Sequence, residues 1–193
     1  MTQKTHPTPP EASALFDQYL VTLAQSGDRR ALDRLARRWY PRLLRSARRY
    51  VGDANAAESL AQDCWLAISR GIAKLREPAK FAPWAFGILR RLGADRIKHS
   101  KSRSQAIEEQ PGAEQSCDPS QEDRAAISQA FALLSHDHRF AAHLYFVEGL
   151  KLREIALAAD VSVGTAKSRI FHARRQLKAA LHPIDPSPSG ELL

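Results

Sequence analysis

Apolar residues recur at intervals of three and four along nearly every segment of this 193-residue chain. That spacing places them on one face of an α-helix, whereas a half-buried β-strand needs strict alternation of apolar and polar residues. No Asn-Gly or Asp-Gly pair stands between alternating β-branched segments, so no hairpin is predicted. The sequence therefore predicts an all-α fold.

The helices fall into two blocks, because the composition changes between them. The stretch after residue 101 is rich in Ser, Gln, Glu and Pro, and it turns acidic after Arg103, which is typical of a flexible linker. We therefore predict two small helical domains joined by a flexible acidic linker. The predicted ranges are a disordered tail 1–13, a first domain 14–101, the linker 102–121, a second domain 122–182 and a disordered tail 183–193.

Local signals predict several helix ends. Asp28 is predicted to cap a helix over 29–51, and Asn55 is a plausible cap for a helix over 55–73. Pro41 is expected to bend or split the first of these helices, because it lacks an N–H and clashes with the preceding turn. Two apolar stripes should face the core: Leu35, Trp39, Leu43 and Ala47 on one helix, and Ala57, Leu60, Ala61, Cys64 and Ile68 on the next.

Charge and composition restrict the function. The formal net charge is +8, from 29 Lys and Arg against 21 Asp and Glu, which favours a polyanionic partner such as nucleic acid. No apolar run is long enough to cross a membrane, and the polar start does not resemble a signal peptide, so a cytoplasmic protein without membrane insertion is expected. Cys64 and Cys117 are predicted to be free thiols, and no cofactor or metal site is predicted.

One segment has the spacing of a helix-turn-helix. A short helix over 152–159 is followed by the three-residue turn 160–162 and a longer helix over 163–180. Ser162 can cap the longer helix. At about 100° per residue, that helix buries one stripe and turns a polar, basic face outward. The stripe consists of Ala166, Ile170, Ala173 and Leu177.

The outward face suits the major groove of duplex DNA. Ser168, His172 and Arg175 could reach base edges, and Phe171 could touch a thymine methyl group. Lys167, Arg169 and Arg174 flank them and could reach phosphates. The alternative is a solvated basic face with a stray aromatic residue. The full predicted set is Thr165, Lys167, Ser168, Arg169, Phe171, His172, Arg174 and Arg175.

The segment 148–177, "EGLKLREIALAADVSVGTAKSRIFHARRQL", resembles the extracytoplasmic-function (ECF) group of bacterial RNA polymerase sigma factors. In the first block, "FAPWAFGILRRLGADRIKH" is similar to another conserved helix of that group. The resemblance implies a sigma-2 domain that docks on the β′ clamp helices of core polymerase and opens the −10 promoter element. It also implies a sigma-4 domain that reads the −35 element and meets the β flap, a linker toward the RNA exit path, and an anti-sigma factor as regulator.

The resemblance also assigns residues. It places polymerase docking on the third helix, at Glu58, Leu60, Gln62, Asp63 and Leu66. It places −10 contacts on the fourth helix and the loop before it, at Arg76, Lys80, Phe81, Trp84, Arg90, Arg91 and Lys98. In the family, a base flipped out of the stack enters a pocket made by that loop and an Asn on the helix.

This chain departs from the family pattern at a few positions. Arg91 replaces the pocket Asn, and Arg can stack on a base or pair with guanine, so the captured base is expected to differ. Trp84 matches a family Trp and is expected to be buried. His172 replaces an Arg of the recognition helix, and Leu134-Ser135 replaces a Leu-Pro.

Two other functions compete with this interpretation. A stand-alone helix-turn-helix regulator would bind duplex DNA by itself, but such regulators lack the first block. An enzyme acting on nucleic acid would need an acid/base pair, a phosphate loop or a metal set, and the sequence shows none of these motifs.

Overall fold

The computed structural model describes residues 10–51, 53–103 and 119–181, which form eight α-helices and two short 3-10 turns without a strand in these ranges. The turns are Ile72–Lys74 and Pro78–Lys80. The helices are α1 Pro10–Gln25, α2 Arg29–Val51, α3 Ala54–Gly71, α4 Phe81–Arg103, α5 Pro119–Ala132, α6 His136–Phe146, α7 Leu152–Ala159 and α8 Val163–Leu181. The all-α prediction is confirmed.

Several predicted boundaries need correction. α1 begins at Pro10, so residues 10–13 are helical and do not belong to a disordered tail. Pro41 does not split α2, which runs unbroken through it. α3 begins one residue before Asn55, because Asp53 is the residue that caps it: the Asp53 carboxylate accepts from the Ala56 N–H at 2.6 Å. Asp28 caps α2 as predicted and accepts from the backbone N–H groups of Arg30 and Ala31.

Some predictions lie outside the described residues. These are residues 1–9 of the first tail, residue 182 at the end of the second domain, the whole tail 183–193, most of the linker, at 104–118, and the thiol of Cys117. None of the helices in the described ranges combines the length and the apolar composition that a membrane crossing needs.

The first block is built around an aromatic centre. Trp39 of α2 meets Phe81 edge to face, with ring centroids 4.9 Å apart, and its ring lies 5.7 Å from that of Phe86 on α4. Both predicted stripes, on α2 and on α3, are buried here. Cys64 is a free thiol within this core, and burial raises its pKa to about 12, so it stays protonated.

The two blocks pack against each other, which the sequence did not predict. One continuous core includes residues of α2, α3 and α4 together with Phe140, Leu144 and Ile155 from the second block. α4 crosses α7 closely: a Cβ placed on Gly87 would lie 3.5 Å from the carbonyl oxygen of Ala158. A smaller core holds α5 against α6 and α8, through Phe131, Leu134 and Leu177. In the described part of the chain, the two blocks therefore share one buried core.

Candidate nucleic-acid interface

Local hydrogen bonds fix the helix-turn-helix of α7 and α8. At its start, the Glu154 carboxylate accepts from the Lys151 backbone N–H at 2.7 Å. In the turn, Asp160 adopts a left-handed conformation with φ of 51°, which Asp tolerates better than most residues. Ser162 caps α8 by accepting from the Thr165 N–H at 3.0 Å. The predicted limits of α7 and of the turn are confirmed.

α8 turns its predicted face outward. Ala166, Ile170, Ala173 and Leu177 are buried, as the 3.6-residue period requires. Seven of the eight residues predicted to contact the −35 element are exposed, and Phe171 keeps 62% of its surface accessible. Its exposed ring stands among the basic and polar side chains of this face. Arg169 is the half-buried exception.

Two residues of α6 organise this face, and sequence reasoning missed both roles. Asp137 accepts from the Arg169 guanidinium at 2.6 Å. The imidazole rings of His138 and His172 stack with centroids 5.9 Å apart, and Phe171 meets His172 edge on. α6 therefore orients two side chains of the predicted recognition helix. The only sequence signal was the polar "HDH" at the start of α6, which has no helical periodicity of its own.

On α4 and the loop before it, the predicted −10 residues separate into two groups. Arg76, Lys80, Arg91 and Lys98 are exposed, while Trp84 and Arg90 are half-buried. Phe81 is 2% exposed and packs on Trp39 in the core, so its prediction as a DNA contact is wrong. Trp84 lies against Gly71, where a Cβ would come within 3.1 Å of the indole ring.

Arg91 lines a cavity of about 470 Å³ between α3 and α4. Trp84 supplies an aromatic wall, Lys74 and Arg91 supply positive charge, and Asp95 supplies a carboxylate. None of residues 75–81 is part of the lining, so the cavity lies beside the 3-10 turn Ile72–Lys74 and not beside the loop that the resemblance implied. Its remaining walls are Ala67, Gly71, Ile88 and Leu92.

α3 presents a mostly acidic and polar surface. Glu58, Gln62 and Asp63 are exposed, and Leu66 keeps 49% of its surface accessible beside them. Asp63 forms an ion pair with Arg96 of α4, whose guanidinium also donates to Ser59 and to the Ala56 carbonyl. Leu60 is fully buried, so its prediction as a docking contact is wrong and it belongs to the core stripe instead.

A buried polar cluster joins the two blocks. Arg42 of α2 donates to the Glu148 carboxylate at 2.8 Å, and Ser46 is hydrogen-bonded to the His143 Nε2 atom at 2.7 Å. The Glu148 and His143 side chains are only 2% and 3% exposed. Burial, the largest influence, tends to raise the Glu148 pKa, but the hydrogen bond from His143 and the charge of Arg42 outweigh it, and the pKa lies below its usual value.

The folded molecule is thus of the helix-turn-helix class, with a second helical module that carries its own basic surface. Residues 35–103 match the family described as sigma-70 region 2, and residues 124–177 match sigma-70 region 4. Together the two matches cover well over half of the chain.

Full-length relatives agree with these matches. The chain is 29% identical to the RNA polymerase sigma-H factor of Pseudomonas aeruginosa, over 87% of this chain and 95% of that protein. It is also 29% identical to the ECF RNA polymerase sigma-E factor of Escherichia coli K12, over 88% of this chain and 96% of that protein. The chain belongs to the sigma-70 family of RNA polymerase sigma factors, in its ECF group, and acts in promoter-specific transcription initiation.

Solved structures show the same fold. The sigma factor RpoE from Bartonella quintana, in complex with the anti-sigma factor NepR, aligns with a TM-score of 0.70 at 22% identity, covering 79% of this chain and 97% of that one. CnrH, in complex with the cytosolic domain of CnrY, aligns with a TM-score of 0.66 at 22% identity, covering 88% of this chain and 99% of that one.

Proposed function

We propose that this protein binds core RNA polymerase and directs it to promoters by reading the −35 element as duplex and opening the −10 element. The outward face of α8 carries the proposal, because an exposed Phe171 among basic and polar side chains on a helix-turn-helix fits the major groove. The protein acts by binding, in the cytoplasm, and the polymerase performs the chemistry.

The proposed −35 contacts fall into two groups, those with base edges and those with phosphates. Ser168, His172 and Arg175 read base edges, and Phe171 contacts a thymine methyl group. The remaining members of the set position the helix on the phosphates: Thr165, Lys167, Arg169 and Arg174. Since Arg169 is held by Asp137, its guanidinium is oriented before DNA arrives.

The −10 strand lies along α4. Arg76, Lys80, Arg90 and Lys98 attract its phosphates. The cavity beside Arg91 receives the flipped base, with Trp84 as the stacking wall and the Arg91 guanidinium as the group that selects it. A cavity of about 470 Å³ is large enough for a nucleobase, and its charged lining offers both donors and acceptors.

Core polymerase docks on α3 through Glu58, Gln62, Asp63 and Leu66, where carboxylates face the basic clamp helices of β′. Residues 14–101 form the polymerase- and −10-binding unit. Residues 122–182 form the −35 unit, which also meets the β flap, and the segment 102–121 connects the two. An anti-sigma factor holds the protein inactive; the structural relative RpoE from Bartonella quintana is bound to the anti-sigma factor NepR, which supports this part of the proposal.

In vitro transcription on genomic fragments tests this proposal. Core polymerase with the protein should initiate at a few mapped sites that share −35 and −10 motifs, while the protein alone should bind the same duplexes weakly. Arg175→Ala should lower initiation about tenfold, since a base contact contributes roughly 1–3 kcal/mol. Arg34→Ala removes the same charge from an exposed position of α2 outside the proposed surfaces and should leave initiation near wild type. Tight duplex binding without polymerase would instead indicate a stand-alone regulator.

A further inference from the structure

We propose that His138 of α6 is a positioning residue for −35 reading: it acts through His172 of α8, and the protonation of this pair of rings sets the base preference. This inference rests on the proposed function, since it assumes that the outward face of α8 meets the −35 element. It adds a residue of another helix to the choice of promoter, and it makes that choice depend on pH.

The two imidazole rings lie against each other where the start of α6 meets α8. Their centroids are 5.9 Å apart and their planes differ by 23°. His172 is exposed, while His138 is half-buried. Phe171 also meets His172 edge on, with ring centroids 5.6 Å apart. A change at the half-buried ring is therefore transmitted to the exposed ring by direct contact.

One nitrogen of the pair has no partner. The Nδ1 atom of His138 is buried and forms no hydrogen bond with another described residue. A proton on this atom would make it a charged donor without an acceptor, and a buried charged group left unpaired costs more than a neutral one. A proton that the pair takes up is therefore better accommodated on the exposed ring of His172.

Proton uptake changes which bases His172 can contact. Histidine is the side chain whose ordinary charge change falls between pH 5 and 8. A neutral imidazole offers one donor and one acceptor, whereas an imidazolium offers two donors and no acceptor. In the major groove guanine presents two acceptors, while cytosine and adenine each present an amino donor. A lower pH should therefore favour guanine at the base that His172 contacts.

Most charged groups around the pair are cationic. The Asp137 carboxylate, next to His138 in the chain, pairs with Arg169 of α8 and lies 3.6 Å from Arg90 of α4. Two positive charges at the distance between the rings repel, so the pair should hold one proton more readily than two. Other ionisable groups on the helices that pack around the pair are His136 and Arg139 of α6, Arg175 of α8, Arg49 of α2 and Glu154 of α7.

Four variants of the full-length protein separate the roles of the two rings. His172→Gln keeps a donor and an acceptor but takes up no proton, so its −35 preference should be the same at every pH. His138→Lys places a fixed positive charge against His172 and should move the change in preference to lower pH by about one unit. His138→Phe keeps an uncharged ring, whose face attracts a cation, and should move the change to higher pH. His136→Gln is the matched control, because it removes a histidine of the same helix outside the pair.

Transcription of a promoter library that is randomised at the −35 element measures the preference at each pH. With core polymerase, wild type should favour guanine at one position about fivefold more at about pH 6 than at about pH 8, since that is the effect of roughly one hydrogen bond. All promoters share one reaction, so the pH dependence of the polymerase itself cancels. His136→Gln should reproduce the wild-type change.

Two outcomes would overturn the role of the proton. These are a wild-type preference that is the same at both pH values, and a change that persists in His172→Gln. Equal midpoints in wild type, His138→Lys and His138→Phe would show that His138 does not act through His172.

Failure of the proposed function is distinguishable from failure of this inference. If wild type supports no initiation at any pH, the proposed function fails, and nuclear magnetic resonance titration of the free protein then tests the pair by itself. The ring signals of His172 should change at a lower pH in His138→Lys than in wild type. An unchanged midpoint in that titration would overturn the coupling of the two rings.

Discussion

His172 illustrates how a single side chain on α8 depends on a neighbouring helix. Its ring stacks on His138 and meets Phe171 edge on, and these two contacts orient the imidazole at the outward face. A neutral imidazole offers one donor and one acceptor, whereas guanidinium offers a rigid fork of donors that matches guanine. Under the proposed function, the residue at this position contributes to the choice of −35 bases.

Replacing His172 with Arg should shift the −35 preference toward guanine at one position, by roughly tenfold, because a bidentate contact discriminates by about 1–3 kcal/mol. The planar guanidinium can keep the stacking on His138. His172→Lys is the matched control: it adds a charge without the fork and should strengthen binding to all sequences alike. Transcription of a promoter library with core polymerase measures both. An unchanged preference in His172→Arg would refute the base contact.

For single residues of α8, the sequence predicted which side chains are buried but not which residues of other helices they contact. The buried stripe of Ala166, Ile170, Ala173 and Leu177 follows from the helical period alone, and it is confirmed. The pairing of Arg169 with Asp137 joins residues 32 positions apart. No local pattern encodes such a contact, because it depends on where α6 lies against α8.

The helix ends also show where prediction from the sequence is limited. For α3, Asn55 was the predicted cap, and this prediction is wrong: Asp53 is the cap, and its carboxylate accepts from the Ala56 N–H. Propensity does not separate Asp from Asn at an N-cap. The direction of the chain before α3 decides which side chain is in reach, and a local sequence pattern does not contain that direction.

Removing the cap should destabilise this element. Asp53→Ala should lower the free energy of unfolding by about 1 kcal/mol, the typical contribution of an N-cap, while Asn55→Ala should change it by only a few tenths of a kcal/mol. Both positions are exposed, so no core packing is altered. Urea denaturation followed by circular dichroism measures the difference. Equal losses in the two variants would contradict the assignment of Asp53 as the cap.

For the whole molecule, the sequence predicted two blocks but not their closure. Each block has an apolar stripe that satisfies its own core, and the linker composition suggested independence. One signal was present in retrospect: Gly87 stands inside α4, where a glycine does not favour a helix. It is explained by the other block, through the close approach of Ala158.

The buried Glu148 makes the stability of the closed molecule depend on pH. Burial tends to raise its pKa, but His143 and Arg42 together hold it below the usual value. Burial, the largest influence, and the charge of Arg45 lower the pKa of Arg49, while the charge of Glu148 tends to raise it. A carboxyl group with a depressed pKa stabilises the folded state fully above its unfolded pKa, and this contribution is lost as the pH falls through the lower, folded pKa.

We therefore expect Glu148→Gln to be destabilised relative to wild type by about 1.5–3 kcal/mol at pH 7, because it replaces the charge-assisted hydrogen bond from Arg42 with a neutral one. Arg42 keeps 26% of its side chain exposed and a longer ion pair with Asp17 at 3.9 Å, which limits the loss. The difference should shrink as the pH falls below the normal range of a glutamate, since wild type then carries a protonated carboxyl at the same place. Urea unfolding of both proteins from pH 7 to pH 3, at constant ionic strength, measures it. Exposed carboxylates titrate equally in both proteins and cancel in the comparison. A difference that stays constant over this range would show that the Glu148 charge does not hold the two blocks together.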